Sequence, residues 1–492
     1  TAVEMSSASV MTAQSGFYQN EGGKAFAEKH YEKSALDRPL WARKEGKTYY
    51  DSTKIVSYSY GANAANEVLS AYVDSCGALC ITGYYTAGTL HKTTTIDEEN
   101  STQIVFTDKS DNVVLQRSVS GNQFLDTYYA YDQYGNIAWV VSPEGSARLS
   151  TNSIWTVPIE SDINTSDAAK YCYVYKNNAF GWPLYRKLPG KAAEYLFYDN
   201  GGRVIRNQDG LLRNEGLWMV HSYDNLGRKV GIGLSNNTSA GQSTIQTTLI
   251  QTLYGNYTGI GSDLIFQSPS ELSSSLSINT AMVKGLKTYE RVAILDSDYL
   301  DHITGYVQRA FYYDANGRVC QVVELYPDSH LSRTSTVYDL TGKISEVLES
   351  HTDNFETHYL KTCYIYDKRG RAKNIQRILD GETLTPVFYS YDNLGRRSLT
   401  TFGDFYSTGV VGAQSFQYDI RGWLLGSNAQ LDNNIVFGEM LRYENPSNPN
   451  SIARWDGNIS ESSISRFDGS YTPAAYSHNY SYDGFKRLSN AL

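Results

Sequence analysis

Apolar and polar residues alternate along this chain in short runs, and each run ends at a cluster of Asp, Asn and Gly. Arg309-Ala310-Phe311-Tyr312-Tyr313 and Thr362-Cys363-Tyr364-Ile365-Tyr366 are runs of this kind, and Arg318-Val319-Cys320-Gln321-Val322-Val323 starts another directly after a turn. A period of two places successive side chains on opposite faces of a strand, whereas a helix needs a period near 3.6. The pattern predicts an all-β chain with helix as the minority state.

The turns repeat. Tyr-Asp-x-x-Gly-(Arg/Lys/Asn), followed closely by an apolar residue, occurs at Tyr131, Asp132 and Gly135; Tyr198, Asp199 and Gly202; Tyr223, Asp224 and Gly227; and Tyr313, Asp314 and Gly317. It returns at Tyr338, Asp339 and Gly342; Tyr366, Asp367 and Gly370; Tyr391, Asp392 and Gly395; and Tyr418, Asp419 and Gly422. A degenerate copy at Tyr482 and Asp483 has Lys486 where the turn glycine is expected. From Tyr313 to Tyr418 successive tyrosines stand 25, 28, 25 and 27 residues apart, room for two strands of about eight residues and two turns.

One unit is then one β-hairpin. The aspartate is expected to accept backbone N–H groups two residues on, and the glycine to supply a positive φ that costs other residues about 1–2 kcal/mol. A single hairpin has unpaired edges and half a core, so neighbours must pair with it, and the repeated tyrosines are expected to stack along the sheet as a ladder. A tyrosine buried in such a ladder, Tyr391 for example, would cost about 3–5 kcal/mol on truncation to alanine. The motif residues are therefore read as structural, with no catalytic, cofactor-binding or metal-binding residue assigned. Aspartates that recur once per hairpin are spread along a sheet, whereas a calcium loop gathers several within a dozen residues.

Composition supports this reading. Tyrosine occurs 41 times and glycine 40 times against 11 prolines and 5 methionines, a balance that suits strands joined by glycine turns. The chain carries 43 basic and 52 acidic residues, a net charge of −9, without long blocks of one sign, which argues against a nucleic-acid partner. No apolar run has the length of a membrane span, and Thr1 to Ala13 lack the basic start and apolar core of a signal peptide. Five cysteines do not make a disulfide framework. Cys76 and Cys80 are close enough in sequence for a bridge across a tight loop, with two free thiols the favoured reading, and Cys172, Cys320 and Cys363 read as small buried hydrophobes.

The repeated motif resembles that of the Rhs and YD-repeat proteins, a family that includes bacterial polymorphic toxins, the shell of insecticidal toxin complexes and the animal teneurins. Longer segments are similar to one subgroup with a β module before the repeats: Tyr31 to Pro39, Phe106 to Lys109, Thr127 to Asp132, Leu188-Pro189-Gly190, Gln208-Asp209-Gly210, Leu217-Trp218, Tyr418 to Leu424 and Trp455 to Ser460. The resemblance implies a β-sheet ribbon that spirals into a hollow shell, in toxin members around a C-terminal toxic domain sometimes released by self-cleavage. The segment that carries that cleavage lies after the repeats in those members, so no residue up to Leu492 is expected to have a protease role. The expected organisation is an N-terminal extension over 1–24, a β module over 25–145 and the repeat array over 146–492, with an irregular insertion at about 235–300. At about 12 residues per strand and turn the chain gives roughly 40 strands and a ribbon near 190 Å at about 4.8 Å spacing. That length suits an incomplete shell with an open edge.

Other candidate sites are weaker. His351 and His358, with Asp353 and Glu356 between them, match neither a helical zinc pair nor a zinc finger, and a polar hairpin loop is the preferred reading. Gly231-Ile232-Gly233 and Gly259-Ile260-Gly261 lack the third glycine and strand-to-helix context of a dinucleotide site. Ser235 to Ser277 is rich in Ser, Thr, Asn and Gly, interrupts the repeat spacing and reads as a larger loop or decayed repeats, a solvated loop being preferred, and Asn445 to Asn450 reads as a turn-rich connection. Trp139, Trp182, Trp218, Trp423 and Trp455 fall in or beside strand patterns, where core filling is expected. The function expected from all of this is a non-catalytic β scaffold, secreted or at the cell surface, that encapsulates or presents a C-terminal toxin domain or other protein cargo. The alternative is cell-surface adhesion or glycan binding through exposed aromatic residues.

Overall fold

The computed structural model describes residues 21–120, 123–237, 244–296, 302–353, 356–403, 412–431, 434–466, 474–484 and 486–492; most of the 1–24 extension lies outside them. Among the described residues there are 34 strands, while the α-helices are single turns such as Lys47–Asp51 and Gly210–Asn214. The all-β expectation is borne out, and the hairpin is the repeating element.

The chain forms two compact units, one of residues 1–193 with 414–492 and the other of residues 194–413. In the first, Glu28–Tyr31 pairs with Pro39–Arg43, and the antiparallel sheet continues through Val56–Ala62, His91–Ile96, Thr102–Thr107, Val113–Ser120, Gln123–Tyr131, Ile137–Val141 and Cys172–Asn177. Leu69–Val73, Leu79–Tyr84 and Ile154–Trp155 make a small separate sheet. Its carboxy-terminal part is a meander of Leu424–Leu431, Asn434–Arg442, Glu461–Arg466, Ala474–Tyr482 and Leu488–Ala491.

The second unit is one long antiparallel meander. It runs from Glu194–Tyr198 and Val204–Gln208 through Ile303–Tyr313, Val319–Leu325, Leu331–Tyr338, Ile344–Thr352, Thr357–Tyr366 and Ala372–Leu379 to Val387–Tyr391 and Arg397–Phe402. The motif hairpins of this unit share one irregularity. Tyr312 faces Gln321 but Tyr313 faces Val319, so Cys320 is skipped, and Tyr338, Tyr366 and Tyr391 show the same step. A three-residue loop closed by a left-handed residue, with an extra residue in the returning strand, matches the strands' right-handed twist.

Within the irregular stretch, Thr247–Tyr254 and Lys287–Leu295 are strands. The segment between them is largely exposed, as a loop is expected to be, but it also packs on the sheet through a few apolar side chains. Leu264 is fully buried in a cluster with Tyr289, Ala310, Tyr312, Cys320 and Val323, and Tyr257, Ile260, Phe266, Leu276 and Ile278 pack against it. Burial of these side chains excludes water from a sheet face that would otherwise be open. Polar composition concealed this, since the apolar residues follow neither strand nor helix spacing. Trp139 is fully buried and its Nε1 donates to the Gly77 carbonyl. All five cysteines are free, with Cys76 exposed and Cys80 buried.

Candidate functional site

The motif residues build a latch that the sequence only half discloses. In the Asp314 turn, Oδ1 accepts the backbone N–H groups of Asn316 and Arg318, each at 2.9 Å, and Gly317 N–H donates to the Asp314 carbonyl. Gly317 has φ 74°. The other carboxylate oxygen, Oδ2, accepts from Arg318 Nε at 2.7 Å. Asp199, Asp224, Asp367 and Asp392 hold Arg203, Arg228, Arg371 and Arg396 in the same way. At Asp367 the Arg371 backbone N–H is the main cause, with its guanidinium adding to it, that holds the carboxyl below its usual range against the opposing effect of burial. In the degenerate copy Lys486 itself adopts φ 61°, its N–H donates to the Asp483 carbonyl, and the turn closes as the glycine turns do.

Four of the described motif tyrosines lie beneath the cation of the preceding turn where a ladder of rings was expected: Arg203 over Tyr223, Arg318 over Tyr338, Lys343 over Tyr366 and Arg371 over Tyr391, at 4.3 to 5.2 Å. Each hydroxyl then donates back to the first carbonyl after that turn, Tyr223 to Val204, Tyr338 to Val319, Tyr366 to Ile344 and Tyr391 to Ala372, at 2.7 to 2.8 Å. Tyr313 reaches the Lys287 carbonyl, and Tyr254, which has no aspartate after it, reaches that of Lys229. In the first unit Tyr131 reaches Val113, Tyr443 reaches Leu424 and Tyr482 reaches Ile459. The arginine at the sixth place, read in the sequence as a variable position, is therefore the part that joins one repeat to the next.

The Tyr418 copy departs from this plan. Its arginine stands at the fourth place, and Trp423 occupies the sixth. Arg421 Nη2 lies 2.7 Å from Asp419 and 2.6 Å from Glu444, and its guanidinium lies 4.3 Å from the Trp423 ring and 4.8 Å from that of Tyr49. Tyr49 is fully buried; its ring meets Trp455 edge-on at 5.1 Å and its hydroxyl donates to the Trp455 carbonyl. Arg454 pairs with Glu99 at 3.7 Å, and Lys486 with Asp97 at 2.8 Å. The Tyr418–Leu424 and Trp455–Ser460 segments thus meet on the amino-terminal module, a seam joining residues some 400 apart in sequence. Burial pushes the Asp419 carboxyl up against the pull of Arg421. A cleft of about 660 Å³ opens beside the seam, lined by Lys47, Gln417, Arg421, Gly438, Met440 and Ser465 among others.

The second unit shows how its sheet face holds a polypeptide. Five consecutive strands each present one side chain to the backbone of the 255–286 segment. Tyr312 donates to the Leu264 carbonyl at 2.8 Å, Arg333 to that of Ile265 at 2.9 Å and Lys361 to that of Glu271 at 2.9 Å. Gln321 accepts from Gln267 N–H and donates to its carbonyl, and Glu346 accepts from Ser273 N–H at 2.9 Å. Gln321 and Arg333 are buried, and the segment supplies hydrogen-bond partners beside those they find on the sheet, Ser335 for Gln321 and Gln321 for Arg333. Polar residues at inward strand positions were the available sequence signal.

The remaining candidates are dispersed. Trp218 and Phe197 enclose Arg206, while Trp182 is half-buried and stacks on Phe180 at 5.0 Å. His351 lies directly opposite His358 in one hairpin. Gly231 and Gly233 sit in a strand, at close approach to the Ser222 side chain and to the Thr247 backbone. No described helix is long and apolar enough to cross a membrane.

No protein-family model and no curated protein sequence matches the chain. Among solved structures, the TcdB2–TccC3 complex aligns with 94% of this chain and 25% of its own, at 12% identity and a TM-score of 0.33. The Tc holotoxin pore of Photorhabdus luminescens aligns with 93% of this chain and 24% of its own, at 12% identity and 0.33. A porin-like protein from Bacteroides uniformis aligns with 38% of this chain and 86% of its own, at 11% identity and 0.20. The chain spans about a quarter of the length of the first two. At these identities and scores the functional reading rests on the chain's own residues.

Proposed function

We propose that this chain is a wall-forming scaffold of the YD-repeat kind that encloses or presents a second polypeptide, a toxin domain or other protein cargo, outside the cell that makes it, and has no chemistry of its own. The observation that carries this reading is the row of Tyr312, Gln321, Arg333, Glu346 and Lys361, which hold a non-strand polypeptide segment across the sheet through its backbone. Recognition of backbone groups holds a segment with little regard to its sequence, which suits a wall that accommodates varied cargo. The latch supports the absence of catalysis: motif aspartates such as Asp314 and Asp367 spend both oxygens on their own turn. The test is protease protection of the polypeptide produced with this chain from its native locus. Co-purification with a segment that resists digestion until the chain is denatured is expected; digestion of every co-expressed segment at the rate of its isolated form would overturn the proposal.

A glycan-binding reading is favoured by one observation. Phe180 is 76% exposed and stacks on Trp182, and Asn177, beside that turn, donates to Asp132 of the turn bearing exposed Tyr134. Exposed ring faces bind the apolar faces of sugars, and a glycan array comparing the parent with Phe180→Ala separates this reading from the first.

A further inference from the structure

An antiparallel meander brings every second turn back to the same edge. In the second unit the turns of Asp199, Asp224, Asp314, Asp339, Asp367 and Asp392 therefore share one edge of the sheet, and the other connections lie along the opposite edge. The two edges differ in charge. On the motif edge, carboxylates are taken up by the cations of their own turns: Asp224 by Arg228, Asp367 by Arg371 and Asp392 by Arg396. Lys229, Lys368, Arg369 and Arg397 stand exposed beside these pairs as surplus positive charge. On the opposite edge the connections 326–330, 353–356 and 380–386 hold Asp328, Asp353, Glu356, Asp380 and Glu382 and no Lys or Arg.

The motif edge also carries apolar side chains at its tips. Leu226 is 78% exposed, Leu394 48% and Leu340 fully. The latch fixes the backbone that presents them: the N–H groups of Leu226 and Leu394 donate to Oδ1 of Asp224 and Asp392, at 2.9 and 3.0 Å. Leu340 and Leu394 are four strands apart and Leu226 and Leu340 six, so about 19 and 29 Å separate them at about 4.8 Å per strand. Leucines so far apart form no contiguous core for a protein partner, whereas single tips can each enter a bilayer interface on their own. A leucine in one polar turn reads as ordinary variation until the topology sets the turns side by side.

We infer that the motif edge of the second unit docks on an anionic lipid surface. Leu226, Leu340 and Leu394 enter the acyl boundary, and Lys229, Lys368, Arg369 and Arg397 meet the head groups. The same surface repels the acidic edge, which sets the orientation of the sheet. This docking is independent of what the wall encloses.

The experiment is sedimentation of the whole chain with phosphatidylcholine vesicles, with and without phosphatidylglycerol. Binding to the anionic vesicles that is lost at high salt is expected. Lys368→Gln with Arg369→Gln should weaken it about tenfold or more, and Leu340→Ser with Leu394→Ser about tenfold. Leu211→Ser, at an exposed position on the opposite edge, should bind as the parent does. All these side chains are exposed, so the variants should melt with the parent. Equal sedimentation with both kinds of vesicle, parent-like binding in the basic or the leucine variant, or an equal loss in Leu211→Ser would overturn the inference. So would a dimer in light scattering that the leucine substitutions dissociate while vesicle binding is unchanged, since the edge would then meet a second copy of the chain.

Discussion

Arg318 belongs to two repeats at once: its Nε donates to Asp314 Oδ2 at 2.7 Å in its own turn, and its guanidinium lies 4.3 Å from the ring centroid of Tyr338 in the next. Replacing it therefore breaks a charge-assisted pair and a cation–π contact together. Arg318→Ala should destabilise the chain by about 1–3 kcal/mol. Arg318→Lys should recover less than half of this, since a point charge cannot serve a carboxylate edge and a ring face with one planar group. Urea unfolding of the two variants measures the difference.

Tyr391 makes a separable contribution. Its hydroxyl donates to the Ala372 carbonyl at 2.7 Å, and its ring is half-buried beneath Arg371. Tyr391→Phe should cost about 1 kcal/mol, the usual net worth of one hydrogen bond. Tyr391→Ala should cost about 2–3 kcal/mol, less than full burial in a tyrosine ladder would require. Equal melting of the Phe and Ala variants would show that the ring contributes nothing.

The seam predicts the largest single effect. Tyr49 is fully buried against Trp455 and Arg421, so Tyr49→Ala should cost about 3–5 kcal/mol. Hydrogen exchange should then rise in residues 418–424 and 455–460 before it rises in residues 319–402, which belong to the other unit.

His221 sets a pH dependence. Burial, and secondarily Lys229, pull its imidazole down to about 4, from about 6.5 in the unfolded chain. Between those values the unfolded state binds the extra proton, so stability is fully present above about pH 6.5 and falls as the pH drops toward 4. The loss is on the order of 1–3 kcal/mol. A flat stability profile across that window, or an unchanged slope in His221→Gln, contradicts this assignment.

Gly317 tests the turn. Its φ of 74° is in the left-handed region, and nothing stands within 4 Å of the place a Cβ would take. Gly317→Ala should thus cost about 1–2 kcal/mol from backbone strain alone.

The hairpins were legible in the sequence because their turn chemistry is local: Asp314, Gly317 and Arg318 lie within five residues and state their own geometry. The contacts of Arg318 with Tyr338, and of the Tyr338 hydroxyl with Val319, depend on a cross-strand register that no short window contains. Tyr49 and Trp455 are further still beyond such a window. The packing of the segment bearing Leu264 and Phe266 is hidden for a different reason: it is held through its backbone and by a few unevenly spaced apolar residues, so composition speaks only for its exposed part. Pro446 to Asn450 shows the same limit in small, because its loop is held by the buried Glu461 carboxylate, which accepts from Ser447 and Asn448.

The latch has a direction. At Tyr223, Tyr338, Tyr366 and Tyr391, the hydroxyl of the later tyrosine points to a carbonyl of an earlier strand, and the earlier cation covers the later ring. During synthesis the amino-terminal end emerges first. Within the second unit, a hairpin leaving the ribosome thus finds its receptor already made in the one before it, and growth there proceeds by templated addition, like courses laid on a finished row.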